Sequence, residues 1–237
     1  MLVNYAHRGA SEYYPENTLS SFYRGIDMGA NGIENDIQRT KDGVLVVFHD
    51  DNLKRVTGKD ALVRDLTYAE LMELTVTNEK TGRSDKILTL DDFIKYIAWR
   101  DLTYAIEIKE RGIVSEVMDK LDEAGLRERT IITSFDYEEL SDAYKLGRGY
   151  RLGWLYWGKT DSKRIEKLKS IDAYQACPKI ADLTEEELKT LHAEGFSVRV
   201  WGVDNTELMK RAVDMGVDGG MTVNFPDKLT EYLKDRS

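Results

Sequence analysis

Two carboxylates and a histidine lie close together in the stretch from Gly32 to Asp50, which reads GIENDIQRTKDGVLVVFHD. In a strand, Glu34 and Asp36 would share one face, because successive side chains of a strand point to opposite faces. The turn at residues 41–43, Lys-Asp-Gly, predicts a tight reversal, and the apolar run after it ends at His49. Two carboxylates beside an imidazole suit divalent-metal binding or acid–base chemistry, whereas an ordinary strand with exposed charges is the alternative interpretation.

A third carboxylate, Glu107, lies in a later predicted strand whose alternation puts it on the same face as Lys109. Three carboxylates from adjacent strands would repel one another strongly if no cation lay between them. A hard divalent cation with oxygen ligands, Ca²⁺ or Mg²⁺, relieves that repulsion, so we expect one at Glu34, Asp36 and Glu107. Zinc is the alternative, with histidine among its ligands.

Two of the three histidines, His7 and His49, lie at predicted strand ends beside these carboxylates, whereas His192 lies in a predicted helix. An imidazole titrates near neutral pH, so the pair is suited to general acid and base roles. Arg8 and Lys109 add positive charge of the kind that an anionic substrate requires. A metal ion, two histidines and two cations together indicate phosphoryl transfer from a phosphate ester.

These side chains need a scaffold that brings distant parts of the chain to one place. Strand and helix patterns alternate along the chain, and eight strands have approximate centres at Val3, Ile33, Tyr104, Ile131, Leu152, Tyr174, Val198 and Gly219. Eight βα units in series predict a (β/α)8 TIM barrel, whose active site forms at the carboxyl ends of its strands. A doubly wound sheet is disfavoured, because no strand is followed by a glycine-rich fingerprint.

Residues 51–88 interrupt this alternation, since they are polar, charged and irregular apart from a predicted helix at 68–74. We interpret them as a small insertion after the second strand, within one domain that spans residues 1–237. The insertion is expected to lie over the mouth of the barrel and to help select the substrate.

Length and composition exclude several classes of protein. The 237 residues, 41% hydrophobic, suffice for one sizeable core, and the net charge of -9 argues against a nucleic-acid partner. The single cysteine, Cys177, excludes an internal disulfide and a cysteine-rich zinc site. No apolar run reaches transmembrane length, and the N-terminal residues lack a signal-peptide pattern, so we expect a cytoplasmic protein without an integral membrane segment.

Four further residues are candidates for supporting the site or contacting the substrate. Glu16, with Asn17 beside it, is expected to support the loop that carries His7 and Arg8, although this segment could serve only to begin a helix. Trp201 ends the seventh predicted strand and is expected to form a pocket wall. Phe135, at the end of the fourth strand, either lines the substrate mouth or covers the core.

Six spaced motifs occur in one order along the chain: His7-Arg8-Gly9, Pro15-Glu16-Asn17-Thr18, Glu34-x-Asp36, Lys41-Asp42-Gly43, His49-Asp50 and Glu107-x-Lys109. Together they resemble the glycerophosphodiester phosphodiesterase family from Val3 to about Asp227, with a looser match through Trp201 and the run 219–227. The resemblance implies a barrel with a small inserted subdomain. It also implies hydrolysis of glycerophosphodiesters, a class of small molecule, to glycerol 3-phosphate and an alcohol.

The resemblance further implies a role for each matching residue. Glu34, Asp36 and Glu107 would hold one Ca²⁺ or Mg²⁺ ion, and His7 and His49 would form the acid–base pair. The resemblance also implies substrate contacts, with the phosphate at Arg8 and Lys109 and the glycerol at Trp201.

Two other functions compete with this interpretation. One is a phospholipase of related barrel architecture, of phospholipase D or C type, acting on intact lipid. The sphingomyelinase D type usually has an interfacial apolar loop, secretion and disulfides, and none of these is visible in the sequence. The other is a catalytically inactive barrel used for binding, which would normally lack a histidine or carboxylate of the set that is present here.

Overall fold

The computed structural model describes residues 2–236, whose strands and helices alternate along most of the chain. In chain order the strands are β1 (Asn4–His7), β2 (Gly32–Arg39), β3 (Leu45–Val47), β4 (Val76–Thr77), β5 (Ser84–Asp85), β6 (Leu88–Thr89), β7 (Thr103–Ile108), β8 (Thr130–Ser134), β9 (Arg151–Tyr156), β10 (Gln175–Pro178), β11 (Ser197–Val203) and β12 (Gly220–Val223). The α-helices are α1 (Leu19–Asp27), α2 (Lys54–Thr57), α3 (Tyr68–Met72), α4 (Leu90–Tyr96), α5 (Val114–Glu123), α6 (Tyr137–Lys145), α7 (Ser162–Ser170), α8 (Glu185–Ala193), α9 (Thr206–Met215) and α10 (Pro226–Lys234).

Eight parallel strands close into a barrel. Strands β7 to β12 follow one another around it, β2 pairs with β7, and β1 pairs with both β2 and β12. Helices connect consecutive barrel strands, as parallel pairing requires. The predicted (β/α)8 barrel is therefore confirmed, and all of its strands point their carboxyl ends toward the same mouth.

Helices α1 and α4 pack on the outer face of the strand that carries Glu107. Phe22 of α1 meets Phe93 of α4 edge to face at 5.2 Å, and Phe93 meets Tyr104 of β7 at 5.8 Å. Such pairs contribute about 0.5–1.5 kcal/mol beyond the burial of their area. Because Tyr104 and Glu107 point to opposite faces of β7, this outer packing fixes the strand that presents the carboxylate inward.

Most of the α-helices begin at a residue whose side chain caps the first turn. The side chain of Thr18 accepts a hydrogen bond from the Ser21 amide at the start of α1, and Thr89 forms a capping box with Asp92 at the start of α4. No helix within residues 2–236 has the length and apolar character needed to cross a membrane.

Residues 51–88 build a folded layer beside the barrel. Strand β3 pairs antiparallel with β2 and with β6, so the segment leaves and rejoins the barrel at neighbouring points. The segment buries its own hydrophobic cluster, separate from the main core and consisting of Val46, Phe48, Leu53, Val56, Val63, Leu71, Val76 and Ile87. The sequence predicted an irregular insertion but not this second core, because its apolar residues follow no single period.

Two strands lie slightly later in the chain than their predicted centres. The last strand, centred near Gly219 in the prediction, begins at Gly220, whose φ of +114° interrupts the extended backbone. The sixth strand, centred near Tyr174 in the prediction, lies at Gln175–Pro178, because the amide of Ala173 still closes the preceding helix through the Leu168 carbonyl.

Gly9 and Gly43 form a matched pair for testing how tightly the loop after β1 is packed. Both have a positive φ, +85° and +87°, but a Cβ at Gly9 would lie 2.4 Å from the Ser21 backbone, whereas nothing lies within 4 Å at Gly43. Gly43→Ala should lower the free energy of unfolding by about 1 kcal/mol, the cost of a positive φ for a residue with a Cβ. Gly9→Ala should lower it by about 3 kcal/mol or more, because the new Cβ would also overlap the Ser21 backbone. Urea denaturation measures both values, and equal losses would contradict the packing described here.

Candidate active site

A cavity of ≈ 440 Å³ opens at the carboxyl ends of the barrel strands. The predicted site residues that line it are His7, Arg8, Glu34, His49, Glu107, Lys109, Phe135 and Trp201. The other three, Asp36, Glu16 and Asn17, contact these residues from behind the wall. The structure therefore brings the whole predicted set to one end of the barrel.

The three carboxylates converge because of strand alternation and register. Glu34 and Asp36 lie two residues apart on β2, and Asp36 stands level with Glu107 on the neighbouring β7. Each offers one oxygen, and these oxygens all lie within 4.8 Å of one another. All three residues are buried.

The electrostatics of this triad fit a divalent cation. Burial, together with the neighbouring carboxylates, raises the pKa of Glu34 well above its usual range and also raises that of Glu107. Burial alone would raise the pKa of Asp36 as well, but Arg8 and other nearby cations lower it. The Oδ1 atom of Asp36 is buried without a hydrogen-bond partner, which a cation with oxygen ligands would supply.

His7 is held in one tautomer by the loop after β12. Its Nδ1 lies 2.6 Å from Oδ1 of Asn224, which also accepts a hydrogen bond from Ser11 at 3.0 Å. Because an amide oxygen only accepts, Nδ1 of the imidazole carries the proton and Nε2 keeps its lone pair. The side chain is 31% exposed to the cavity, yet the surrounding protein desolvates it and, with Arg8, lowers the pKa of His7 to about 3.

His49 has a charged partner instead of a neutral one. Its Nδ1 lies 2.5 Å from Oδ1 of Asp50, the next residue. Burial would raise the pKa of Asp50, but its bonds to His49 and to Arg55 lower it, so this carboxylate is ionised at neutral pH. A carboxylate in this position fixes the orientation of the imidazole ring.

Backbone strain positions Arg8 and Asn17. Their φ values are +54° and +58°, a region that residues with a Cβ rarely adopt, and the Asn17 amide donates to the Arg8 carbonyl at 2.9 Å. Arg8 donates to Glu16 at 2.9 Å, and its Nε lies 3.3 Å from Asp36 Oδ2. Asn17 donates to the same Asp36 oxygen at 2.9 Å. Both strained residues thus converge on one carboxylate of the triad.

An aromatic wall stands opposite the histidines. Phe135 stacks on Trp157 with centroids 4.2 Å apart and meets Trp201 edge to face at 4.9 Å. Trp157, which is 57% exposed, extends this wall to the rim. Trp157 was not predicted as a site residue, although its place directly after a barrel strand was a usable sign. Lys109 donates to Glu107 at 2.8 Å across the cavity wall.

Sequence reasoning missed Arg55, which lies on α2 in the insertion. Its two terminal nitrogens donate to the two oxygens of Glu16 at 2.8 and 2.7 Å, and its Nε donates to Asp50 at 2.5 Å. Arg55 therefore bridges the partner of Arg8 to the partner of His49. Nothing in the sequence around Arg55 marks it, because the link depends on how the insertion folds.

Replacing Arg55 tests whether this bridge orients the acid–base groups. Arg55→Met should lower kcat by about 10–100-fold, the usual effect of removing a residue that orients functional groups. Arg55→Lys should recover part of the loss, because it keeps the charge but not the forked geometry. Lys54→Met is the control, since Lys54 pairs only with the exposed Asp60. Full activity of Arg55→Met would show that the bridge has no functional effect.

Comparison with known proteins places the chain among relatives. The model of the glycerophosphoryl diester phosphodiesterase family matches residues 7–228. A glycerophosphodiester phosphodiesterase from Caldanaerobacter subterraneus subsp. tengcongensis is 34% identical, covering 97% of this chain and 96% of the relative.

Solved structures show the same architecture. A crystal structure from Silicibacter pomeroyi, described as a phosphodiesterase of this type, superposes with a TM-score of 0.89 at 24% identity, covering 99% of this chain and 94% of that one. A phosphodiesterase from Oleispira antarctica, in complex with the product sn-glycerol-3-phosphate, has a TM-score of 0.86 at 25% identity, with coverage of 99% and 97%. The chain therefore belongs to the glycerophosphoryl diester phosphodiesterase family, a family of phosphoric diester hydrolases.

Proposed function

We propose that this protein hydrolyses glycerophosphodiesters to glycerol 3-phosphate and an alcohol, with a divalent cation and with His7 and His49 as proton carriers. The observation that carries the proposal is that both imidazoles line a cavity whose wall includes Glu34 and Glu107, with Asp36 of the same buried carboxylate triad directly behind them. Membership of the family and the glycerol 3-phosphate bound by the Oleispira antarctica relative support the substrate class.

Glu34, Asp36 and Glu107 would hold the cation, Ca²⁺ or Mg²⁺. When bound, such an ion supplies positive charge that polarises a phosphoryl oxygen. Arg8 and Lys109 add two permanent positive charges at the same wall, and both are paired with carboxylates that keep their side chains in place. These two residues would contact the non-bridging oxygens of the phosphate.

The partners of the two histidines suggest which one is the general base and which is the general acid. His7 has a neutral partner in Asn224 and keeps its Nε2 lone pair, so it would accept the proton of the nucleophile, water or the glycerol 2-hydroxyl. As the new P–O bond forms and the bond to the departing alkoxide breaks, His49 would donate a proton to that oxygen. Attack by water gives glycerol 3-phosphate directly, whereas attack by the glycerol 2-hydroxyl gives a cyclic phosphate that water then opens to glycerol 3-phosphate. The hydrogen bond to Asp50 would hold the His49 ring in the orientation that this donation requires.

The barrel and the insertion would both contribute to the active site of a single domain that spans the chain. Arg55 of the insertion contacts both Asp50 and Glu16, which hold His49 and Arg8. Trp201 and Phe135 would form the apolar side of the substrate pocket.

The substrate class is tested with purified protein, glycerophosphocholine and intact phosphatidylcholine, each with Mg²⁺, Ca²⁺ or EDTA. Release of glycerol 3-phosphate from the deacylated diester, dependent on added metal, is the expected outcome. Cleavage of intact lipid alone would favour the phospholipase alternative, and no cleavage of either would favour an inactive binding barrel.

Removing either imidazole tests the acid–base assignment. His7→Ala and His49→Ala should each lower kcat by about 10²–10⁴-fold, the usual contribution of general acid–base catalysis. His192→Ala is the matched control, because His192 lies outside the cavity on α8 and pairs with Asp218. Near-wild-type turnover in His7→Ala or in His49→Ala would exclude that histidine from acid–base catalysis.

The metal site is tested by stability as well as by activity. Added Mg²⁺ or Ca²⁺ should raise the midpoint of thermal unfolding of the wild-type protein, because the ion binds only the folded triad and relieves its repulsion. EDTA should reverse the rise, and Asp36→Asn should abolish it. Glu123→Gln, an exposed carboxylate at the end of α5, should leave the rise unchanged. A rise that persists in Asp36→Asn would place the ion elsewhere.

A further inference from the structure

Arg199 forms the floor of the cavity. It lies on β11, two residues before Trp201, so both side chains point into the barrel. Arg199 is 1% exposed and lines the cavity together with Trp201 and Thr222. It is among the largest fully buried side chains of the described residues.

This guanidinium lacks the partners that a buried cation normally has. Among residues 2–236, its Nη1 makes a long hydrogen bond of 3.4 Å to Thr222 Oγ1, and the Cys177 thiol is a further, weak partner, whereas Nε and Nη2 have no hydrogen-bond partner. The guanidinium lies over the Tyr5 ring, 5.2 Å from its centroid. No carboxylate oxygen of the described residues lies within 4.0 Å of it, although the Glu34 carboxylate acts on its charge from farther away. Tyr5 and Cys177 are neutral at neutral pH, because burial raises the pKa of Tyr5 to about 12 and raises that of the Cys177 thiol.

Other arginines of the barrel show the usual arrangement. Arg8 pairs with Glu16 and Asp36, and Arg211 donates to the carbonyls of Ile180 and Leu183 at 2.8 and 2.6 Å. A buried charge without such partners destabilises the free protein and is retained where a ligand completes it. Arg199 therefore presents two unpaired donor nitrogens, Nε and Nη2, to whatever occupies the floor.

Strand register gives the depth of this floor. Arg199 pairs with Gly220, and Thr222 stands level with Tyr5, two residues before His7. At about 3.3 Å per residue, the guanidinium beside Thr222 lies about 7 Å below the level of His7. If the phosphate lies between the histidines, one of its two organic groups, the glycerol, would therefore extend down to Arg199.

We propose that Arg199 binds the free hydroxyl groups of the glycerol half of the substrate, which makes it a specificity-determining residue. This inference rests on the proposed function. A guanidinium only donates hydrogen bonds, so it selects oxygen acceptors and repels cationic head groups such as choline. The head group then points to the open rim at Trp157, while the glycerol, common to all such substrates, takes the enclosed floor.

The test compares two phosphate monoesters of the same length, glycerol 3-phosphate and propyl phosphate, which lacks the hydroxyls. Binding of each is measured by calorimetry with Mg²⁺ present, for the wild-type protein and for Arg199→Met. Arg199→Met should raise the dissociation constant of glycerol 3-phosphate by about 10–100-fold, because hydrogen bonds to a charged group are lost. The dissociation constant of propyl phosphate should change by less than about 3-fold, since this ligand makes no such hydrogen bonds.

Stability supplies an independent readout. Arg199→Met should unfold at the same temperature as the wild-type protein or higher, because methionine fills the space without a buried charge. The control Arg211→Met should unfold at a lower temperature, because its carbonyl partners are left unpaired, and should keep the wild-type preference between the two ligands. If Arg199→Met does not fold, Arg199→Lys replaces it, and a reduced preference for glycerol 3-phosphate remains the expected result.

Equal weakening of both ligands would overturn the proposal in favour of a phosphate contact or a general electrostatic role. Unchanged binding of both would assign Arg199 to structure alone. Hydrolysis of glycerophosphocholine by the wild-type protein is measured in parallel. If the wild-type protein hydrolyses no glycerophosphodiester but loses its preference for glycerol 3-phosphate in Arg199→Met, the proposed function fails while the subsite stands.

Discussion

The mutual repulsion of three buried carboxylates governs the charge distribution of this protein. Glu34, Asp36 and Glu107 come within 4.8 Å of one another in a place that water hardly reaches. Burial and proximity both raise the pKa of Glu34, so the protein must supply positive charge or leave a proton there. Arg8 and Lys109 supply part of that charge, and the unpartnered oxygen of Asp36 marks where more is needed.

Residues outside the barrel strands help to compensate this repulsion. Arg8 approaches Asp36 from a left-handed backbone, and Glu16 holds its side chain there. Arg55 then ties Glu16 to Asp50 and through it to His49. A polar insertion that the barrel does not need for closure thus contacts the partners of both His49 and Arg8. Val56, the residue after Arg55, belongs to the separate hydrophobic cluster of this insertion.

The parts of this site that follow periodic rules could be predicted from the sequence. Alternation put Glu34 and Asp36 on one face, and the succession of βα units placed Glu107 on the neighbouring strand, as the register shows. Arg55 escaped prediction because its contacts depend on the tertiary fold of an aperiodic segment. Arg199 shares the inward parity of Trp201 and could have been found by that rule, but its lack of partners is visible only in three dimensions.

The cavity changes character with depth, and that gradient would let one site serve a class of substrates. The floor is a buried guanidinium, the middle holds the carboxylates and imidazoles, and the rim is the aromatic wall that ends at the exposed Trp157. A constant group is recognised best where water is excluded and donors are fixed, since an unmade hydrogen bond is most costly there. A variable group is accommodated best at an open apolar edge, because such contacts are non-directional. The barrel supplies both environments along a single axis, with the reacting atoms between them.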